Sequence, residues 1–165
     1  MRLPEGQPMI LAGTGHRPSK LGGYGDHVEH RLLQLARDEL SILKPAKIIS
    51  GMALGWDQAL AQAAIDLNIP FDAYVPFVGQ ELTWPINTRT RYNLLCRAAA
   101  NVIITSAGLY APWKMLVRNE RMVDASDHVL AIWDGTSGGT AHCIRYATLK
   151  RKPVTNCWSR WSILP

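Results

Sequence analysis

The stretch HVLAIWDGTSGGT, residues 128–140, joins an apolar strand pattern to a glycine turn. Its first half, His128 to Trp133, has the pattern of a buried strand, and a helix pattern follows from Ala141 to Lys150. Unpaired amides at a helix start suit a phosphate group, and glycines let a ligand approach the main chain closely. A glycine-rich turn is also a common way to reverse the chain. The stretch therefore predicts either a phosphate-ester site or a plain strand-to-helix turn.

Two more strand patterns run into glycine turns of the same kind. Met9 to Ala12 leads into GTGHRP, residues 13–18, and Lys47 to Ile49 leads into SGMALGWD, residues 50–57. Three such turns at strand ends favour phosphate binding over chain reversal alone. The turn at 13–18 lacks the third glycine of the GxGxxG dinucleotide fingerprint, which disfavours standard NAD binding.

Strand and helix patterns alternate along the whole chain. The strand patterns lie at about 9–13, 46–50, 71–76, 101–105, 128–133 and 153–157, and the helix patterns at about 26–43, 57–68, 88–99, 113–125 and 139–150. This alternation predicts an α/β fold with a doubly wound, mostly parallel sheet and helices on both faces. Apolar runs such as 102–104 and 129–132 predict strands covered on both faces. In such sheets the ligand crevice lies beyond the carboxyl ends of the strands, where strand order reverses.

Composition is that of a single globular domain, which we expect to span residues 1–165. The 165 residues are 47% hydrophobic and 19% charged, and the apolar runs are far shorter than the ~20 residues of a membrane span. Residues 1–5 do not open a signal peptide, so we expect a cytoplasmic protein without a membrane partner. Cys96, Cys143 and Cys157 form no CxxC pair, which predicts reduced thiols and no metal. The net charge of +5 favours anionic partners, and leaves both nucleotides and nucleic acid open.

Three side chains of the first two turns are candidates for ligand contact. Arg17 suits a bidentate clamp on phosphate or carboxylate, or a surface salt bridge. His16 suits a hydrogen bond to the ligand or to its own loop. Asp57 suits a carboxylate in the first turn of a helix or a hydrogen bond to ribose hydroxyls.

The helix pattern at 113–125 places polar groups on an apolar face. On a helical wheel Met115, Leu116, Met122 and Val123 define that face, with Asn119 in its middle and Arg118 on its flank. A buried amide and a buried cation need partners, either structural carbonyls and carboxylates or an anionic ligand. Because the neighbouring strand ends already indicate phosphate, we expect Arg118 and Asn119 to line a pocket.

Two further segments carry exposed or aromatic groups. Residues 76–87 form a long loop pattern, in which Trp84 either stacks on a base or anchors the loop. Residues 157–164 are unusually apolar for a terminus, which predicts a dimer contact or packing back onto the domain.

Taken in order, these motifs resemble a known family. GTGHRP at 13–18 with LGGY at 21–24, SGMALGxD at 50–57, RNxxMVD at 118–124 and WDGxxGGT at 133–140 are similar to the YpsA branch of the SLOG superfamily. The resemblance covers nearly the whole chain. It implies a Rossmann-like domain that binds nucleotides or nucleotide-derived signals. The superfamily includes DNA-processing protein A, which has a similar SGxAxGxD run in its single-stranded-DNA-binding domain, and the Lonely Guy phosphoribohydrolases.

The catalytic motif of the Lonely Guy enzymes is matched only in part. Their RKxxM helix and PGGxGTxxE loop supply a catalytic arginine and glutamate. Here Arg118 and Met122 match the helix, Asn119 replaces its lysine, and Cys143 stands where the glutamate is expected. N-glycosidic cleavage passes through an oxocarbenium-like state that a carboxylate stabilises, or whose attacking water it activates. A neutral Cys143 thiol cannot replace that carboxylate.

Three functions follow, in order of preference. The first is binding of a phosphorylated nucleotide or an ADP-ribose-like molecule as sensor, carrier or sequestering protein, without a further cofactor. The second is hydrolysis of the N-glycosidic bond of a nucleoside monophosphate, with Arg118 holding the substrate and Asp57 or Asp134 as the carboxylate. Asp134 is the better candidate of the two because it lies at the carboxyl end of a strand, although it is equally suited to capping the glycine turn. The third is single-stranded nucleic acid binding through Lys150-Arg151-Lys152, Trp158 and Trp161.

The predicted ligand-binding residues belong to the three turns and the helix between the second and third. They are Gly13, Thr14, Gly15, His16, Arg17, Ser50, Gly51, Met52, Asp57, Arg118, Asn119, Gly135, Gly138, Gly139 and Thr140. A homo-oligomer is also expected, from the apolar tail and from the resemblance.

Overall fold

The structure, a computed structural model, describes residues 7–163 and alternates strands with helices throughout. Its elements are β1 Ile10–Gly15, α1 Asp26–Leu43, β2 Lys47–Ser50, α2 Trp56–Asp66, β3 Phe71–Val75, α3 Ile86–Ala98, β4 Asn101–Ile104, α4 Pro112–Asp124, β5 His128–Ile132, α5 Gly139–Leu149, β6 Val154–Asn156 and α6 Trp158–Ser162. All six predicted strands and all five predicted helices are present, with ends shifted by about two residues or fewer. The short helix α6 and a 3-10 turn at Pro18–Lys20 were not predicted.

Within the described residues, six strands form one parallel sheet in the order β4-β3-β2-β1-β5-β6. The strand order reverses at β1, which pairs with β2 on one side and with β5 on the other. The loops that follow β1 and β5 therefore diverge at this point and leave a crevice. The predicted Rossmann-like α/β fold is confirmed, and the crevice lies beside two of the three glycine turns.

Alternate strand residues point to opposite sides of the sheet. Because apolar side chains lie on both sides, helices cover both faces. On one face Leu11, Ile48 and Leu130 belong to the large core that also holds the buried side chains of α1, α2 and α3. On the other face Ala12 and Ile49 pack with Met122 of α4. Farther along this second face, α4 and α5 form a smaller cluster with β5, made of Val123, Val129, Cys143 and Ala147.

The apolar run at 102–104 is not covered on both faces, which corrects the prediction made from it. Strand β4 lies at the edge of the sheet, paired with β3, and Val102 and Ile104 are 47% and 41% exposed. The matching run in β5 is buried from Val129 to Ile132, as predicted. A continuous apolar run predicts a strand. Whether that strand has a neighbour on both sides and helices over both faces depends on its place in the strand order, which the run does not show.

The apolar tail packs back onto the domain. Cys157 and Trp161 belong to the large core, and the Arg31 guanidinium carbon lies 4.3 Å from the centroid of the Trp161 ring. Ile163, at the end of the described chain, is 81% exposed, and Leu164 lies outside the described residues. This packing accounts for the apolar character of Trp161 in the tail. The homo-oligomer stays a prediction. None of the helices in the described part of the chain has the length and apolarity that a bilayer crossing needs.

Candidate functional site

A cleft of about 420 Å³ opens at the carboxyl ends of β1 and β5. Its walls are the end of β1 with the loop that follows it (13–20), the start of α5 with its preceding turn (136–141), one side of α4 and the start of α2. We call it the first cleft. Its position is the one expected for an open sheet whose strand order reverses between these two strands.

The end of β1 and the loop after it line the first cleft from Gly13 to Arg17. The glycines are needed here for packing as much as for access. A side chain on Gly15 would lie 2.5 Å from Cγ2 of Ile132 and 2.6 Å from Cδ1 of Trp56, and one on Gly13 would collide with Leu60. These glycines therefore let β1 pack tightly against α2 and β5, and this close packing fixes the position of the turn.

The start of α5 faces the first cleft through Gly138, Gly139 and Thr140. Gly138 is the N-cap with a φ of 142°, a region that is essentially restricted to glycine, and it has no side chain that could cap the helix. The first amides of a helix have no partner within the helix, so they are available to a group in the cleft. Gly135, which also has a positive φ of 93°, shapes the turn but is not part of the cleft wall.

Arg118 is buried at the wall of the first cleft and is held by a small network. Its Nη1 donates to the carbonyl oxygen of Gly51 at 2.5 Å, and its Nε donates to Oδ1 of Asn119 at 2.9 Å. Nδ2 of Asn119 donates to the carbonyl oxygen of Gly139 at 3.2 Å, which ties α4 to the start of α5. Burial lowers the pKa of Arg118, and the charge of Asp57 opposes that effect. Arg118 and Asn119 both line the cleft, as the sequence predicted.

Asp57 is a buried carboxylate on the same wall. Helix α2 begins at Trp56, so Asp57 lies in its first turn, and its Oδ2 accepts a hydrogen bond from the Ala53 amide at 3.2 Å. Burial raises its pKa, while the charge of Arg118 counteracts the rise most strongly among the lowering effects. Asp57 is therefore both a carboxylate in the first turn of α2 and part of the cleft wall. Its position is compatible with both interpretations, a first-turn carboxylate and a hydrogen bond to ribose hydroxyls.

Ser50, Gly51 and Met52 lie behind the cleft wall rather than on it. The Ser50 hydroxyl donates to the carbonyl oxygen of Asp57 at 2.8 Å and accepts from the Met52 amide at 3.2 Å. Met52 itself is fully buried in the core with a φ of 60°. A side chain on Gly51 would lie 2.6 Å from Nη1 of Arg118. This turn positions Asp57 and Arg118, while its own contact with a ligand stays a prediction.

His16 connects the turn after β1 to the turn after β5. Its Nε2 lies 2.7 Å from Oδ1 of Asp134, and the same Oδ1 accepts hydrogen bonds from the Thr136 amide at 3.0 Å and the Thr136 hydroxyl at 2.6 Å. Those two hydrogen bonds are the main reason that the pKa of Asp134 is far below its usual range. A carboxylate in this state is a weak base, and Asp134 is not part of the cleft wall. Of the two interpretations of His16, loop attachment describes its contacts.

Cys143 lies in the small core under the first cleft. It packs with Val123, Val129 and Ala147, and burial raises its pKa to about 11. The thiol is therefore protonated at neutral pH, which agrees with the prediction that it cannot replace a catalytic carboxylate. Within the described residues no group of three or more His, Cys, Asp or Glu side chains is arranged to hold a metal ion.

Several residues of the first cleft were missed or misplaced by the sequence analysis. Lys20 and Tyr110 line it, and Nζ of Lys20 donates to the Thr136 hydroxyl at 2.7 Å. Met115 and Leu116 were assigned to the apolar face of α4, but Met115 is half-buried, Leu116 is 37% exposed, and both line the cleft. Nothing in the sequence around Lys20 indicates a ligand site. The apolar side chains of Met115 and Leu116 could have been recognised, because they lie on the same part of α4 as Arg118.

Two of the three cations of the basic segment near the end of the chain, Lys150 and Lys152, contact the protein itself. Nζ of Lys150 lies 4.0 Å from a carboxylate oxygen of Asp124, and Nζ of Lys152 donates to the carbonyl oxygen of Ser126 at 2.7 Å. Trp161 is buried and cannot stack on a base. This segment therefore offers less to a nucleic acid strand than its sequence indicates.

Comparison with known proteins gives one family and several similar chains. The family model described as YspA SLOG family matches residues 11–160. The SPbeta prophage-derived protein YoqJ of Bacillus subtilis is 27% identical over 136 residues, which are 73% of this chain and 80% of that protein. A UPF0398 protein of Bacillus cereus is 25% identical over 163 residues, which are 89% of this chain and 86% of the relative.

Similar solved structures share the fold. DNA processing protein A from Helicobacter pylori superposes with a TM-score of 0.65 at 22% identity, over 89% of this chain but only 64% of that chain. The molybdenum cofactor carrier protein from Chlamydomonas reinhardtii superposes with a TM-score of 0.57 at 15% identity, over 90% of this chain and 75% of that chain. At these identities the likeness shows a common Rossmann-like architecture.

Proposed function

This chain belongs to the YspA SLOG family, and on that premise we propose that it binds a phosphorylated nucleotide or a nucleotide-derived molecule in the first cleft. Bound there, the ligand is sensed, carried or sequestered.

The observation that carries the proposal is the charge of the first cleft. Among the described residues that line it are the cations Arg17, Lys20 and Arg118, against one carboxylate, Asp57. Arg118 is buried beside Asp57, which compensates one of these three cations, so the cleft keeps an excess of positive charge. The uncapped start of α5 adds the positive end of a helix dipole at the same place. An anion, and a phosphate in particular, satisfies all of these groups together.

The opposite wall favours a ligand that is more than an inorganic anion. Tyr110, Pro112, Met115 and Leu116 supply an apolar surface facing the glycine turns. Small-molecule sites typically combine such a surface with a few placed polar groups. A nucleotide fits such a site when its phosphate contacts the glycine turns and its nucleoside contacts the apolar side chains at α4.

The ligands of the similar structures support the proposal at the level of chemical class. The Helicobacter pylori protein binds single-stranded DNA, and the Chlamydomonas protein carries the molybdenum cofactor. Single-stranded DNA is a polymer of phosphates and bases. We therefore keep the ligand class broad and test it with a panel.

Isothermal titration with AMP, ADP-ribose and a cyclic dinucleotide tests the proposal. We expect saturable binding of at least one member, weakened about 10- to 100-fold by Arg17→Ala, because charge-assisted hydrogen bonds contribute about 1.5–3 kcal/mol. Arg121→Ala is the matched control, since Arg121 is an exposed arginine of α4 outside the cleft wall. Absence of heat with every member, or equal weakening by both variants, would contradict the proposal.

A second candidate function, hydrolysis of a nucleotide N-glycosidic bond, is favoured by Asp57 alone. This carboxylate lines the cleft beside Arg118, and burial raises its pKa, as is common for catalytic acids and bases. In this reaction water attacks C1′ of the ribose and Asp57 takes the water proton. The C1′–N bond breaks with its electron pair going to the base, which takes up a proton and leaves as the free base. Release of adenine from AMP that is lost in Asp57→Asn but kept in Asp134→Asn would support it, and AMP recovered intact would exclude it.

A further inference from the structure

A second cleft of about 610 Å³ lies on the other side of Arg17, which lines both clefts. It is built from Arg17 and Pro18 and from residues before and within the first two turns of α1, α2 and α3. The lining residues that matter here are Arg17, Tyr24, Glu29, Trp84 and Arg91, together with Asp26.

The second cleft differs from the first in charge. Its cations Arg17 and Arg91 are matched by Asp26 and Glu29, whereas the first cleft has three cations and one carboxylate. Arg91 is moreover paired, since its Nη1 donates to Oε2 of Glu29 at 2.8 Å. The second cleft therefore suits an uncharged group, while the first suits a phosphate.

Its aromatic side chains give the second cleft the character of a ring-binding site. Trp84 packs edge-on against Tyr92, with ring centroids 5.4 Å apart, so its indole is held in place while it lines the cleft. Tyr24 is 61% exposed on the same lining. Aromatic side chains bind nucleobases by stacking, with little dependence on the base. Of the two interpretations of Trp84, loop anchoring and base stacking, its position therefore allows both at once.

We propose that the second cleft is a nucleobase subsite, so that the ligand is a dinucleotide: two nucleosides joined through phosphates. The inference rests on the proposed function, because it places the phosphates in the first cleft. Arg17 lies between the two clefts, where its guanidinium can bind the linking phosphates bidentately. One nucleoside lies against Met115 and Leu116, and the other base stacks beside Trp84 and Tyr24.

Diadenosine diphosphate and ADP-ribose form a matched pair of probes, because both contain adenosine, a pyrophosphate and a second ribose, and only the first has a second base. We expect diadenosine diphosphate to bind about tenfold more tightly, the order of gain that one stacked base provides. Trp84→Ala and Tyr24→Ala should each remove most of that advantage. Trp113→Ala is the control, since Trp113 is an exposed tryptophan of α4 that lines neither cleft, and it should keep the advantage.

The outcomes separate this inference from the proposed function. If ADP-ribose binds but diadenosine diphosphate has no advantage, or if the advantage persists in both variants, the nucleobase subsite is wrong and the first-cleft proposal stands. If neither probe binds and AMP also fails, both are wrong. An oligodeoxynucleotide that binds more tightly than diadenosine diphosphate, with steep salt dependence, would assign both clefts to a nucleic acid strand and overturn the dinucleotide. Tyr24→Ala keeps the test decisive if Trp84→Ala does not fold, because Tyr24 is largely exposed.

Discussion

At the scale of single residues, Asp57 and Arg118 depend on each other. Both are buried on one wall of the first cleft, and the charge of each counteracts the effect of burial on the pKa of the other. Removing one partner leaves an uncompensated buried charge, which typically costs about 3–5 kcal/mol. The pair therefore links ligand binding to stability, because an anion in the cleft adds a second negative neighbour to Arg118.

Arg118→Met should reduce the free energy of unfolding, and the loss should grow as the pH rises from 4 to 7. Burial already raises the pKa of Asp57 above its ordinary value of 3.8, and removal of the guanidinium raises it further. A group with a raised pKa in the folded state stabilises fully below its unfolded pKa and loses that contribution as the pH rises through the folded pKa. Urea unfolding of both proteins at several pH values measures the difference.

The double variant Asp57→Asn with Arg118→Met is the control for this prediction. Without the carboxylate, the effect of Arg118→Met, measured as the difference between Asp57→Asn and the double variant, should no longer change with pH over this range, and the double variant should recover part of the loss that Arg118→Met alone shows at pH 7. A loss in Arg118→Met that is the same at pH 4 and pH 7 would contradict the coupling.

At the scale of elements, the start of α5 is the part of the first cleft that depends most on backbone conformation. Gly138 and Gly135 both have a positive φ, and at both a Cβ would meet open space, so a substitution acts through backbone strain rather than collision. Only Gly138 lines the cleft and caps the helix. The two glycines therefore allow strain and ligand contact to be separated.

Gly138→Ala and Gly135→Ala should each lower the free energy of unfolding by about 1–3 kcal/mol, because each places a side chain in a conformation that favours glycine. Only Gly138→Ala should also weaken the nucleotide affinity strongly, by about tenfold or more, since it redirects the first amides of α5. Urea unfolding and isothermal titration on both variants measure the two effects. Equal weakening of affinity by both substitutions would show that these amides do not hold the ligand.

At the scale of the whole molecule, α6 completes the large core that lies on the α1 side of the sheet. Trp161 is buried against α1, where Arg31 lies over its ring and Nη2 of Arg31 donates to its carbonyl oxygen at 3.3 Å. Arg160 forms an ion pair with the buried carboxylate of Glu39 in the same helix α1. The tail thus covers the face of the sheet opposite α4, away from the residues of α4 that line the first cleft.

Trp161→Ala should lower the free energy of unfolding by about 3–5 kcal/mol, the cost of emptying a large aromatic site in a core. Nucleotide affinity should change little at temperatures where the variant is folded, because Trp161 lines neither cleft. Ile163→Ala is the control, since Ile163 is largely exposed and should change stability by less than about 0.5 kcal/mol. A small effect of Trp161→Ala would indicate that α6 contributes little to the core.

The sequence by itself determined the alternation of strands and helices and the places of the glycine turns. It also indicated that Arg118 and Asn119 line a pocket. These features are local, because hydrophobic period and turn chemistry are set by residues that are close in the chain. The resemblance to the SLOG superfamily, whose motifs are spread over nearly the whole chain, added the Rossmann-like assignment and nucleotides as the expected class of ligand.

Only the tertiary structure decided which strand lies at the edge, which groups form the buried pair and where the second cleft opens. Crossover connections bring distant segments together, as when Arg118 reaches the carbonyl of Gly51 across 67 residues. An apolar run cannot show its neighbours, so β4 was predicted to be covered although it lies at the edge. Ser50, Gly51 and Met52 have the pattern of a binding turn, but the packing of α2 places them behind the cleft wall. Strand order and helix packing are long-range properties, and no local pattern contains them.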